Sequence, residues 1–209
     1  MNNIWKIDVQ NKKISPCDEE FKSIKWHKSV FKGYGEGIVD CGGSQELADL
    51  SGWSEVNDIH EFIKEDPNLF FDTPSAIWCY TGKVGEAADF IGFRDDSVLV
   101  GEIKWQEGWS KRLTKKIPRY ISDQQWLGDV SNKKLEVYIS SPQTASKHLI
   151  TELSMLNSSL WKSLKMYFGF MQLGWLEDDN KSYFLKVVWM LGNSWTGDKF
   201  DCELDVGIH

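Results

Sequence analysis

Hydrophobic and polar positions change their period several times along these 209 residues, and each change marks an element. Residues 4–9, Ile-Trp-Lys-Ile-Asp-Val, alternate in the manner of a half-buried strand, and residues 10–13 read as a turn. Glycines at 33, 35, 37, 42 and 43 break any helix, so residues 1–50 are predicted to form a β-rich N-terminal extension. At Ser54 the period lengthens to that of a helix. Ser54 suits an N-cap, Glu55, Asp58 and Glu61 supply early acids, Val56, Ile59 and Ile63 share a face, and Pro67 closes the segment.

Three short apolar stretches follow, at residues 76–80, 89–93 and 98–105, separated by 81–85 and 94–97, which predicts an antiparallel meander. Residues 109–127 are polar, basic and helical in character, with Pro118 expected to end or kink the helix, and 134–140 return to a strand pattern. Ser141 as N-cap and Pro142 in the first turn, with Leu149, Ile150, Leu153, Met155 and Leu156 beyond, predict a second long helix reaching as far as Leu164. Residues 166–176 and 183–191 flank a polar tip and predict a C-terminal β-hairpin. The expected fold class is α/β, in the α+β sense: a single domain over 1–209, with a central mixed sheet flanked by helices. Its parts are the extension, a core over 54–140, and a C-terminal helix and hairpin over 141–209.

Composition narrows this picture. With 41% hydrophobic residues and 11 Trp along its length, the chain can bury a substantial core. Cys17, Cys41, Cys79 and Cys202 form no Cys-x-x-Cys pair, and His27, His60, His148 and His209 lack metal-ligand spacing, so His60 reads as a packing residue of the first helix. No secretory signal and no apolar run of membrane-spanning length is visible, so the expected setting is a reduced cytoplasm without membrane contact. Residues 33–38 and 192–196 fall short of a dinucleotide fingerprint and a nucleophile elbow, and both read as turns. The net charge of −7 argues against indiscriminate coating of DNA. Residues 104–119 nevertheless hold Lys104, Lys111, Arg112, Lys115, Lys116 and Arg119 against Glu107 alone.

The chemistry gathers on the second and third meander strands. A tight turn centred between Asp95 and Asp96 pairs residues whose numbers sum to 191, which sets Asp89 opposite Glu102. Opposed like charges destabilise a sheet unless a cation offsets them. Lys104 projects on the same face as Glu102, and Phe90, Ile91, Phe93, Val98, Leu99, Val100 and Ile103 make both faces of the pair apolar. Two acids in such a place suit Mg²⁺ or Mn²⁺, and a lysine beside them can orient a water or stabilise charge developing on a phosphoryl oxygen. That is chemistry suited to phosphodiester hydrolysis.

Asp89, followed on the next strand by Glu102-Ile103-Lys104, resembles the signature of the PD-(D/E)xK nuclease superfamily, with Ala88 in place of the signature proline. The resemblance covers roughly residues 54–140 and implies a restriction-endonuclease-like αβββαβ core, whose element order matches the one read above. It implies catalytic roles for Asp89, Glu102 and Lys104, and metal binding at Asp89, Glu102 and Ile103. It also implies an acid from the first helix, for which Glu61 is the best-placed candidate and Glu55 and Glu65 are rivals. Under it, Lys111, Arg112, Lys115, Lys116 and Arg119 form a phosphate-holding helix stripe; as a bland alternative, they line a solvated helix face. The expected function is a Mg²⁺- or Mn²⁺-dependent nuclease acting on DNA, in restriction, defence or mobile-element processing, with a targeting protein or a second copy of the chain as candidate partners. The competing expectation is a nonenzymatic immunity or regulatory partner with an acidic, Trp-rich surface. Sugar binding by exposed aromatic side chains is a third option.

Overall fold

The computed structural model of the protein describes residues 4–17, 24–26, 31–33, 36–38, 53–82, 88–105, 111–122, 133–141, 163–176 and 182–191. The strands are β1 (Ile4–Asp8), β2 (Lys13–Pro16), β3 (Ile24–Trp26), β4 (Phe31–Gly33), β5 (Glu36–Ile38), β6 (Ile77–Tyr80), β7 (Phe90–Phe93), β8 (Ser97–Ile103), β9 (Lys134–Ser141), β10 (Ser163–Leu176) and β11 (Tyr183–Leu191). A wide turn over Glu55–Ile59 leads into α1 (His60–Glu65), and α2 (Pro67–Phe70) and α3 (Lys111–Ser122) complete the helices described. The protein is mostly β, a mixed sheet with few helices.

One nine-stranded sheet runs in the order β2-β1-β11-β10-β9-β8-β7-β6, with β3 also on β10, and β4 and β5 form a separate pair. β6, β7 and β8 are the expected meander. The turn at Arg94–Ser97 closes through Arg94 N to Ser97 O at 2.9 Å, and the register runs Phe90 with Gly101 through Phe93 with Val98, as the turn predicts. The parallel pairing of β8 with β9 needs a crossover, and α3 lies within it.

All seven residues of β8 are buried, which requires cover on both faces. On one face Phe71, just past α2, lies over Gly101, where a Cβ would stand 2.5 Å from its ring. That close approach needs glycine, and it leaves room for the tip of the Phe71 ring, which also packs edge-on against Tyr138. On the other face Ile117 and Tyr120 of α3 are buried, and Tyr120 reaches Glu102. Each large apolar side chain enclosed in this way contributes roughly 1.5–3 kcal/mol.

Three of the expected elements take a more definite form. The N-terminal extension is β-rich as expected, but β1 pairs with β11 and β3 with β10, so these strands belong to the main sheet. Trp5 and Ile7, the buried positions of the alternating strand, close the core against Phe62 and Phe70. Of the two outcomes expected at Pro118, the helix does not end there: it runs on to Ser122, with Ile117 and Tyr120 buried beside the proline. The long helix expected from Ser141 to Leu164 falls mainly on 142–162, outside the described residues. At its two ends Ser141 belongs to β9 and Leu164 to β10, where ladder pairing with β9 prevails over helical pattern. The predicted hairpin is present as β10 and β11. Among the described residues no helix is long and apolar enough to cross a membrane.

Candidate functional site

The site lies where β7 and β8 meet the first helical segment. Ser54 opens that segment, accepting a hydrogen bond from Asn57 N at 3.1 Å while its own N–H donates to Asp58 Oδ2 at 2.6 Å. This reciprocal cap fixes Glu55 at the first position, and Glu55 Oε2 accepts from Trp105 N at 2.8 Å. The helix start is thereby tied to the end of β8.

Asp89 sits one residue before β7 and Glu102 one residue before the end of β8, continuing the observed register by one pair. Thr81 holds this corner: its hydroxyl donates to the Ala88 carbonyl, and its N–H donates to Asp89 O at 3.1 Å. Asp89 Oδ2 accepts from Ile103 N at 2.8 Å. Glu102 is fully buried, its Oε2 accepts from the Tyr120 hydroxyl at 3.1 Å, and Lys116 Nζ approaches its Oε1 at 3.7 Å.

Lys104 joins the acids. Its Nζ lies 3.1 Å from Glu55 Oε1, 2.9 Å from Glu102 Oε1 and 3.9 Å from Asp89 Oδ2, and it donates to the Ile103 carbonyl at 2.7 Å. Lys104 is thus in direct ionic contact with Glu102 Oε1, and a carboxylate oxygen with one ammonium against it still has a second lone pair. The Ile103 carbonyl shares Lys104 with these carboxylates, so the main chain adds an oxygen to the group.

His60, the first residue of α1, completes the cluster. Its ring is 2% exposed, Nδ1 is 3.2 Å from the Tyr80 hydroxyl, and Nε2 is 3.7 Å from Asp89 Oδ2 with no hydrogen-bond partner. One ligand atom each from Glu55, His60 and Asp89 falls within 4.8 Å of the others. Spacing along the chain gave no sign of this histidine. Only its position five residues after an acid, in a segment that begins with a wide turn, bears on the arrangement.

The electrostatics follow from burial and crowding. Burial first, then the neighbouring Glu102, pushes the Asp89 carboxyl up to about 7 despite Lys104 and the Ile103 N–H. Burial also drives His60 down to about 4, which leaves a neutral imidazole. For Lys104 burial works against the charge, but Glu102, Asp89 and Glu55 outweigh it and raise its pKa, so the ammonium persists.

Asp89, Glu102, Ile103 and Lys104 are thus brought together. Glu61 is not: it is 59% exposed and pairs with Lys64 on the outer side of α1, while Glu55 reaches the site. Within the basic stripe, Lys116 turns inward to Glu102, whereas Lys115 and Arg119 are exposed. Lys111 and Arg112 belong to α3, but their side chains lie outside the described residues. Comparison of the chain with protein-family models, curated proteins and solved structures finds no match in any of the three.

Proposed function

We propose that the protein is a divalent-metal-dependent nuclease of the PD-(D/E)xK type, acting on DNA in restriction, defence or mobile-element processing. The observation that carries this reading is the convergence of Glu55, Asp89 and Glu102 on one lysine, with Glu102 Oε1 buried and still able to accept. The order of elements supports it too: a helical segment, the β6–β8 meander, α3 and a parallel β9 follow one another in the αβββαβ sequence expected of that superfamily's core.

The donors fit a Mg²⁺ or Mn²⁺ ion, because three carboxylates and the Ile103 carbonyl are hard oxygens and the three acids outnumber Lys104 and Lys116. Asp89, Glu102 and Ile103 O would hold it, with Glu55 alongside. When bound, such an ion lowers the pKa of a water and neutralises charge on a phosphoryl oxygen. Lys104 stays protonated, so it acts as a fixed positive charge towards the phosphate rather than as a base. Tyr120 and Lys116 hold the Glu102 carboxylate from α3 and limit its rotation. The rest of the basic stripe is assigned to backbone phosphates.

The test incubates plasmid, linear and single-stranded DNA, with RNA in parallel, with the wild-type chain, Glu102→Ala and Lys104→Ala, in Mg²⁺, Mn²⁺ or chelator. Cleavage should need the metal and fall about 10²–10³-fold in each variant. Cleavage that survives both chelator and Glu102→Ala, or a wild-type chain that cuts none of these substrates, would overturn the reading. Preferential cleavage of RNA would overturn its DNA part.

A second reading, a nonenzymatic immunity or regulatory partner, is favoured by the net charge of −7 and by Lys104 itself, which already offsets part of the acidic charge. It requires a chain that binds no divalent cation at this cluster.

A further inference from the structure

Glu55, Asp89 and Glu102 supply only oxygen, but the residue packed against them on α1 does not. His60 is 2% exposed, and its Nε2 has no hydrogen-bond partner. Nε2 faces Asp89 Oδ2 at 3.7 Å, too far for a hydrogen bond and close enough for a shared cation. With bonds of about 2.1 Å, two ligands of one ion stand about 3.0–3.6 Å apart at angles of roughly 90–120°, so a few tenths of an ångström of closure suffice.

The opposite ring nitrogen is already placed for this role. Nδ1 lies 3.2 Å from the Tyr80 hydroxyl, and the Phe90 and Tyr80 rings stand edge-on to the imidazole at 5.6 and 5.5 Å, which fixes its plane. A proton on Nδ1 directed at Tyr80 leaves the Nε2 lone pair pointing at the acids. A histidine serving only as packing would not need a buried nitrogen aimed at a carboxylate without bonding it.

We propose that His60 is a metal ligand through Nε2, and that Glu55, His60 and Asp89 make the site prefer a nitrogen-accepting transition-metal dication of the Mn²⁺ class over Mg²⁺. The inference rests on the metal-dependent reading of the site but not on any cleavage activity. Its physical basis is ligand softness: imidazole suits first-row transition metals, whereas Mg²⁺ takes oxygen and holds its waters.

The test uses Mn²⁺ itself as the probe on the full chain, with no nucleic acid present. Titration followed by electron paramagnetic resonance gives the affinity, and electron spin echo modulation detects a nitrogen bonded to the ion. The wild-type chain should bind Mn²⁺ with a directly coordinated imidazole nitrogen. His60→Gln should lose that nitrogen signal, together with roughly tenfold or more of the Mn²⁺ affinity. Magnesium affinity, read by competition, should change much less. Asp89→Asn serves as a second variant should His60→Gln fail to fold, and it too should abolish the nitrogen-coupled ion. Mn²⁺ bound without nitrogen coupling in the wild type, or coupling that persists in either folded variant, overturns the proposal. A chain that shows the nitrogen signal but cuts no nucleic acid would sink the nuclease reading and leave this one standing. Metal-dependent cleavage without the signal would do the reverse.

Discussion

Two charged clusters stand at opposite ends and on opposite faces of the β8–β9 pair, and their chemistry differs. At the β8 start, on the Phe71 face, Glu136 Oε2 accepts from Tyr138 at 2.8 Å and meets Arg94 Nη1 at 3.6 Å, so one acid has one cation and one hydroxyl. At the β8 end, Glu55, Asp89 and Glu102 share Lys104, with Lys116 at the margin. The unfilled atoms differ as well. The first cluster leaves a donor, Arg94 Nε, and the second leaves His60 Nε2, which can accept. A balanced pair is what a sheet needs to bury a charge; a surplus of acids with spare lone pairs is what a cation site needs.

Removing the cation of each cluster should separate them most sharply. Lys104→Met should lower the unfolding free energy of the metal-free chain by about 3–5 kcal/mol, because it leaves buried carboxylates unpaired, and added Mn²⁺ should recover part of the loss. Arg94→Met should cost less, about 1–3 kcal/mol, with no recovery by Mn²⁺. Denaturant titration with and without the ion reads both, and equal recovery in the two variants would erase the distinction.

The pH dependence offers a second cut. A carboxyl whose folded pKa is raised from 3.8 to about 7 favours folding at low pH, and Asp89 therefore loses its contribution as pH rises through that window. His60, lowered from 6.5 to about 4, has the opposite sign: its contribution is present above 6.5 and is lost as pH falls towards 4. The two oppose each other in the metal-free wild type. His60→Gln should uncover stability that declines from pH 4 to 7, and Asp89→Asn should uncover stability that rises from pH 4 to 6.5. Identical slopes in both variants would contradict the assignment.

Tyr120→Phe should cost about 1.5–3 kcal/mol, the worth of a hydrogen bond to a charged group, and the loosened Glu102 should weaken Mn²⁺ binding in the same chain. The smallest effect belongs to Glu61. Because Glu61 is itself mostly exposed in its pair with half-buried Lys64, Glu61→Ala should change stability by less than about 1 kcal/mol and leave Mn²⁺ affinity unchanged; a tenfold loss of affinity would return Glu61 to the site.

Much of the site's framework was legible because it is local. A tight turn and a period of two placed Asp89, Glu102 and Lys104 together from residue numbers alone. The choice of Glu55 over Glu61 was not legible. It depends on the wide first turn, in which Ile59 N bonds Ser54 O, and on the tie from Trp105 N to Glu55, some 50 residues away.

Alternation and short-range sterics along the chain were enough to give β1, the β6–β8 meander with its turn-defined register, and the meeting of two acids with a lysine. Tertiary structure alone decided that the N-terminal strands complete the main sheet, that α3 brings Tyr120 and Lys116 to Glu102, and that His60 joins the acids. Those outcomes depend on which distant surfaces bury one another, and no periodicity along the chain records that.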